Sequence, residues 1–514
     1  MTTTRFERSA ERAAGRTGRW FDDRLGVSRF ADSVLNHVFP DNWSFMLGEI
    51  AMYCFVVLVV TGIYLTFFFH ASSSDVVYQG GYAPLRGLHM SDAYASTVRL
   101  SFDVRAGLVV RQIHHWAADL FAGAIVVHLC RIFFTGAFRR PREINWVIGL
   151  TMLIAVIVNG FAGYSLPDDL LSATGLRIGY SIALSIPVVG TWLASLFFGG
   201  PYPGPAVAGR LFIIHVLIVP AVIAGLLGAH LAIIWHQKHT QFPGAGRTEH
   251  NVVGSRLWPT YAAKSIGLLA SVVAVAALLG GLAQINPIWL YGPYRTGAVS
   301  TAAQPDWYMG WLEGALRLFP PWRIHLLGHT VPELFWPGVV LPGLTFGLLY
   351  IWPFLEARLT RDHKAHELLD EPRDRPVRTA VGSGVLAFYI VLLLAGSQDL
   401  LAQHANVAVT TVNHTFQVLI FVVPVIVAIV AWKWCHDLSG AQLAASARAE
   451  DERARRGAPD RDAPPPDIGG PSPSTLSQIE RSPLVRLGGA VVGGVVAAVV
   501  AVRERRRGRH KQRA

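Results

Sequence analysis

Eight apolar runs, each long enough to cross a bilayer, limit this chain of 514 residues more than any other feature. They fall at about 44 to 69, 108 to 135, 144 to 165, 209 to 235, 264 to 283, 334 to 355, 379 to 397 and 414 to 434. Lipid offers backbone groups no hydrogen bonds, so such runs must be helices or strands of a closed barrel, and runs this long are helices. The chain is 52% hydrophobic and only 15% charged, which agrees with an all-α membrane protein of eight transmembrane helices. The first run starts too late and extends too far for a cleaved signal peptide, so the amino terminus is expected to stay cytoplasmic.

Charge supports that count. Loops that eight spans put inside carry Arg139, Arg140 and Arg142, then Lys238, Arg247, Arg256 and Lys264, then Arg358, Arg361, Lys364, Arg373, Arg375 and Arg378. The outer loops are longer and sparser in basic residues, so both termini are expected in the cytoplasm and the protein in the cell membrane. The net charge of +11 is read as orientation plus a basic tail, and no nucleic-acid-binding module is visible. The only cysteines are Cys54, Cys130 and Cys435, with neither a Cys-x-x-Cys pair nor a haem-attachment motif.

Four histidines lie inside two of the runs, where a polar side chain persists only for a reason. At about 100° and 1.5 Å per residue, the fourteen residues from His114 to His128 span roughly 21 Å and fall about 40° short of whole turns. The fifteen from His215 to His230 span roughly 22 Å and overshoot by about 60°, so each pair shares one broad face. His115 is about 140° away from His128 and serves as the control. Facing helices would pair His114 with His215 near the outer surface and His128 with His230 near the inner one, each pair holding one haem iron axially and without covalent attachment. The first four spans are therefore expected to form a dihaem four-helix bundle. Gly48 and Gly62, and Gly149 and Gly163, repeat the same fourteen-residue period. Glycine in a helix interior costs up to about 1 kcal/mol, and two pairs in phase with the histidines read as clearance for two flat macrocycles. Arg111, Arg131 and Arg210 lie about one turn from the histidines, where haem propionates would want guanidinium partners.

The remaining chemistry lies in loops. Pro305, Asp306, Trp307 and Tyr308 follow the fifth run; an Asp there either starts a helix or, beside the outer histidines, accepts a proton from a quinol. On the inner side His236, Lys238, His239 and Lys264 either deliver protons to a quinone or are ordinary basic loop residues. Residues 19 to 42 show helical spacing of apolar groups (Trp20, Phe21, Leu25, Phe30, Val34, Leu35, Val38), suggesting a helix lying on the inner surface. Ile182 to Phe198, broken by Pro187 and Gly190, is expected as a short hairpin on the outer face. Residues from about 439 to 483 have the composition of a disordered tail, and the weak apolar run 484 to 502 is expected to be peripheral rather than a ninth crossing. These readings divide the chain into an N-terminal cytoplasmic segment (1–43), a haem-binding bundle (44–236) with its hairpin (166–200), a second four-helix domain (237–436) with a loop (284–333), and a basic, largely disordered cytoplasmic tail (437–514).

The four histidines, the glycines, the arginines, Gly-Tyr-Ser-Leu-Pro at 163–167, Ile-Pro-Val-Val-Gly at 186–190 and Pro305 to Tyr308 together resemble cytochrome b of the cytochrome bc complexes, in its long actinobacterial form, from about residue 35 to 436. The resemblance implies a quinol–cytochrome c reductase subunit with two b-type haems. It implies a quinol-oxidation site at the outer face (Pro305, Asp306, Trp307, Tyr308 and Gly190, with Asp306 and Tyr308 catalytic) and a quinone-reduction site inside (His236, Lys264). It also implies menaquinone as the quinone, Rieske and cytochrome c subunits, a homodimeric complex and an attached terminal oxidase. Two departures stand out. Asp306 replaces the usual Glu, and Ser265 follows Lys264 where the mitochondrial pattern has an acid, which leaves the inner proton donor open.

Overall fold

The computed structural model describes residues 34–455 apart from Pro203, residues 299–303 and Leu327, together with Trp20, residues 22–24 and Gly26. Among the described residues, eight helices are long and apolar enough to cross a membrane: Trp43–Thr66, Gly107–Phe134, Glu143–Tyr164, Val207–Gln237, Leu257–Leu282, Trp336–Thr360, Pro376–Gly396 and Val409–Gly440, called spans one to eight. All eight coincide with the apolar runs. Several extend past the run by a turn or more, because helical hydrogen bonding continues into polar residues that a hydropathy boundary excludes. Their outward faces carry large bare side chains such as Phe421, 75% exposed, and Leu282, 83% exposed. Facing water, such surface would be costly; facing lipid, it is matched to its solvent.

Span one packs along span two, span two along span five, and span three along span four. At the crossing of spans two and five, a Cβ on Gly280 would lie 2.8 Å from the backbone nitrogen of Ile113, so only glycine permits that approach. Span seven is the most enclosed, lying between span eight and a helix at Trp307–Leu318 that does not cross.

The outer face carries the expected hairpin, Leu170–Ser185 and Gly190–Phe198. Asp169 caps its first helix, accepting from the backbone nitrogens of Leu171 (3.1 Å) and Ser172 (3.3 Å). On the inner face Val38–Pro40 pairs antiparallel with Gly254–Arg256. That corrects the sequence reading: the end of the surface helix expected at 19–42 is an extended strand, because pairing with a distant loop outweighs local apolar periodicity. Residues 19, 21, 25 and 27–33 of that segment lie outside the described residues. A second correction concerns the tail. Span eight is part of one helix that continues to Arg455, well beyond the expected boundary near 437, through a stretch rich in alanine and other strong helix formers. The run at 484–502 lies outside the described residues.

Candidate functional site

His114 of span two and His215 of span four face each other with ring centroids 6.1 Å apart. The Nδ1 of His215 donates to the Asn159 carbonyl at 2.9 Å, and the Nδ1 of His114 lies 2.9 Å from Thr61 Oγ1. With Nδ1 engaged, each ring keeps Nε2 for another partner, the usual arrangement of a metal-bound imidazole. Metal–imidazole bonds of about 2 Å from opposite sides would put ring centroids about 6 Å apart, so the spacing suits one iron between them. Span four is interrupted at this histidine by a π-helical turn, Ile214–Ile218. Such a turn absorbs one extra residue, which accounts for the fifteen-residue spacing to His230.

Three of the four glycines, Gly48, Gly62 and Gly163, stand where a Cβ would crowd a histidine ring, and Gly149 has ordinary contact distance to spare. A Cβ on Gly62 would lie 3.3 Å from His114 Cε1, and one on Gly163 would press into the His215 ring, 2.7 Å from Nδ1. At the inner end a Cβ on Gly48 would lie 3.2 Å from His128 Cε1, and one on Gly149 would lie 3.9 Å from His230 Cε1. The arginines divide. Arg111 gives Nη2 to the Asn286 carbonyl at 3.0 Å and leaves Nη1 buried and unpartnered. Arg131 leaves Nε and Nη2 buried and unpartnered, with its guanidinium 4.2 Å over the Phe45 ring. Both are cations short of an anion, which is what a haem with its propionates would supply. Arg210 is different: its Nη1 donates to the carbonyls of Ser195, at 2.6 Å, and Leu196, closing the C-terminal end of the hairpin.

Asp306 stands at the start of the helix Trp307–Leu318. Its Oδ1 lies 2.7 Å from His115 Nε2, and its Oδ2 accepts from the Tyr308 hydroxyl at 3.1 Å. Asp119, one turn beyond His115, brings a third group to within 4.8 Å, with its Oδ1 buried and unpartnered. Burial pushes the Tyr308 phenol well above its ordinary range, so it stays a donor. One cavity of about 330 Å³ is lined by His114, His215, Gly62, Gly163, Arg111, His115, Asp306 and Tyr308. Pro305, Trp307 and Gly190 are not among its lining residues. Gly190 lies at the hairpin turn, where a Cβ would meet the carbonyls of Ala183 and Leu184 at 2.7 Å. The sequence reading missed His115 and Asp119 as site residues; their four-residue spacing was the available signal.

On the inner side Lys264 Nζ pairs with Asp41 at 2.6 Å, and Lys264 holds that carboxyl below its usual range. His236 is exposed, and no hydrogen bond is described between it and Lys264. His239 packs against Phe39 at 4.8 Å, and burial pulls its imidazole down to about 4, which keeps it uncharged near neutral pH. Glu49, also missed from sequence, sits in a cluster of hydroxyls nearby.

These features define a class: a many-span helical membrane protein with paired histidines between its spans, at a spacing that suits a metal-centred prosthetic group. A family model described as cytochrome b (N-terminal)/b6/petB matches residues 119–293. The chain is 54% identical over 418 residues to the cytochrome bc1 complex cytochrome b subunit of Mycobacterium tuberculosis, covering 81% of this chain and 76% of that one. To the subunit of the same name from Streptomyces coelicolor it is 46% identical over 443 residues, covering 85% and 81%. A solved structure titled hyperthermophilic respiratory Complex III matches with a TM-score of 0.61 at 20% identity, over 80% of this chain and 98% of that one, and shows the shared fold. The chain belongs to the cytochrome b subunits of the cytochrome bc1 complex. It is thus a membrane subunit of a quinol-oxidising respiratory electron-transfer complex, and binding of b-type haem follows from the family.

Proposed function

We propose that this chain oxidises menaquinol at the outer face and reduces quinone at the inner face, in a homodimeric complex with Rieske and cytochrome c subunits and an attached terminal oxidase. The observation that carries the reading is that one cavity is lined both by the outer histidine pair and by Asp306 and Tyr308. His114 with His215, and His128 with His230, would hold two haems, with Arg111 and Arg131 taking propionates. When bound, the haems supply a one-electron path across the membrane, so that one electron of the quinol goes inward while the other leaves to the Rieske protein.

The chain's own residues handle the protons and the fit. Asp306, an acceptor on both oxygens, takes a proton from the quinol hydroxyl, while Tyr308 and His115 hold the carboxylate in one orientation. The glycines keep backbone close to the ligand planes, and the lipid-facing spans exclude water. Basic loop residues favour cytoplasmic termini, so protons released at Asp306 leave on the outer side. Two units, 44–236 for the haems and 237–436 for the helix that carries Tyr308, fit this division of labour. A reduced-minus-oxidised spectrum with haem quantitation on the purified complex tests it: two b haems per chain are expected, and none would end the reading.

A further inference from the structure

Ser265 occupies the place after Lys264 where the resemblance leads one to expect an acid, and the structure offers a carboxyl on the opposite helix. Glu49 of span one accepts from Ser265 Oγ at 2.6 Å and from the Tyr53 hydroxyl at 3.3 Å, both on Oε2, while the Tyr261 hydroxyl donates to Oε1. Tyr53 and Ser265 also contact each other. Spans one and five therefore meet at a carboxyl ringed by three hydroxyls, each able to give and to accept a proton. Lys264, beside Ser265 and half exposed, pairs with Asp41, whose two oxygens also accept from Ser255 at 2.8 Å. Phe39 stacks on Tyr261 at 4.2 Å. Span two presents His128 against Gly48 and Arg131 against Phe45. A carboxyl near the end of a span is costly unless it serves a purpose, and this one adjoins the glycine that seats the inner histidine.

We infer that Glu49 is the group that hands protons to quinone at the inner face, with the acid moved from the fifth span to the first. The inference rests on the inner quinone site proposed above. In each transfer the O–H bond of the Glu49 acid breaks and an O–H bond forms on a quinone oxygen. Glu49 is left as a carboxylate held by Ser265, Tyr53 and Tyr261. Lys264 and Asp41, at the water side, return the proton. Two such transfers, with one electron from each of two quinols oxidised outside, convert one quinone to one quinol.

The test uses the whole purified complex carrying Asp306→Asn to disable the outer site. Added menaquinol can then reduce the haems only from the inner side. With Glu49→Gln, haem and menaquinone content should hold while that rate falls about a hundredfold, and Glu49→Asp should recover part of it. The redox-difference infrared spectrum should lose a carboxylic-acid band in the Gln variant alone. A Gln variant with the parental rate and band overturns the inference. If Gln costs the complex its haem, Glu49→Asp decides: slowed with haem intact supports the inference, and unchanged overturns it. Absence of inner-side reduction with Glu49 intact removes the inner-site reading itself, and the inference with it.

Discussion

His115 Nε2 lies 2.7 Å from Asp306 Oδ1, joining span two to a loop 191 residues further along the chain. The neighbouring His114 lines the same cavity but turns to His215. Two successive residues thus serve two different partners, about 100° apart around one helix.

That split makes a direct prediction. His114→Ala should cost the complex its outer haem, whereas His115→Ala should retain both pigments and slow quinol oxidation. Haem quantitation and steady-state turnover on the same preparations separate the two. Loss of a haem from the His115 variant would contradict the assignment.

Asp306→Asn keeps the size of the side chain and the contact with Tyr308 but removes the acceptor. General-base contributions of about 10² to 10⁴ set the expected loss of turnover, with haem content unchanged. Tyr308→Phe should cost less, since it removes only one of the bonds that orient the carboxylate. A D306N complex with normal turnover would move the proton acceptor elsewhere.

Tight contact with His215 and open space along its span can be told apart by single methyl groups. Gly163→Ala places a Cβ into the His215 ring and should shift or abolish the outer haem signal. Gly225→Ala, on the same span as His215 but with nothing within 4 Å of its Cβ, should leave the spectrum as it was. Optical spectra of the two variants suffice.

Arg131 and Arg210 look alike in sequence, each about a turn from a histidine, and the structure separates them. Arg131→Leu should lower the midpoint potential of the inner haem, because it removes a buried cation with two unpartnered nitrogens. Arg210→Leu should leave both potentials alone and loosen the end of the hairpin, since its donors go to carbonyls there. Redox titration and limited proteolysis read the two outcomes.

What could be read from sequence was whatever one helix encodes by itself. The histidine pairs and their glycine partners repeat along single spans, so geometry on paper reaches them, and the spans are visible in apolar length alone. The contacts of His115 with Asp306 and of Glu49 with Ser265 join helices far apart in the chain, and no local period announces them. Arg210 had two chemically equal destinations, an anion or a set of helix-end carbonyls, and only packing chose. Val38–Pro40 was misread because a short strand needs its partner to exist, and that partner lies at 254–256. The helix beyond residue 437 is hidden in composition because charge and proline further along dilute its alanines.

Asp168 gives the outer hairpin a pH dependence that can be worked through. Burial, ahead of the opposing hydrogen bond with Ser91, pushes its carboxyl up from 3.8 to about 6. A raised carboxyl means the folded segment holds a proton that the unfolded one has already lost between those values. Stability is therefore highest below about pH 4, declines as pH rises toward 6, and is flat above. The full decline is about 3 kcal/mol from a shift of about two units. Hydrogen exchange of the helix Leu170–Ser185, which begins two residues later, should accelerate over that window. Asp168→Asn holds the neutral form at every pH, so its exchange should be slow and level once the intrinsic pH dependence of exchange is divided out. A variant with the same slope as the parent would show that the dependence comes from another group, the neighbouring Asp169 first among them, since burial raises that carboxyl too.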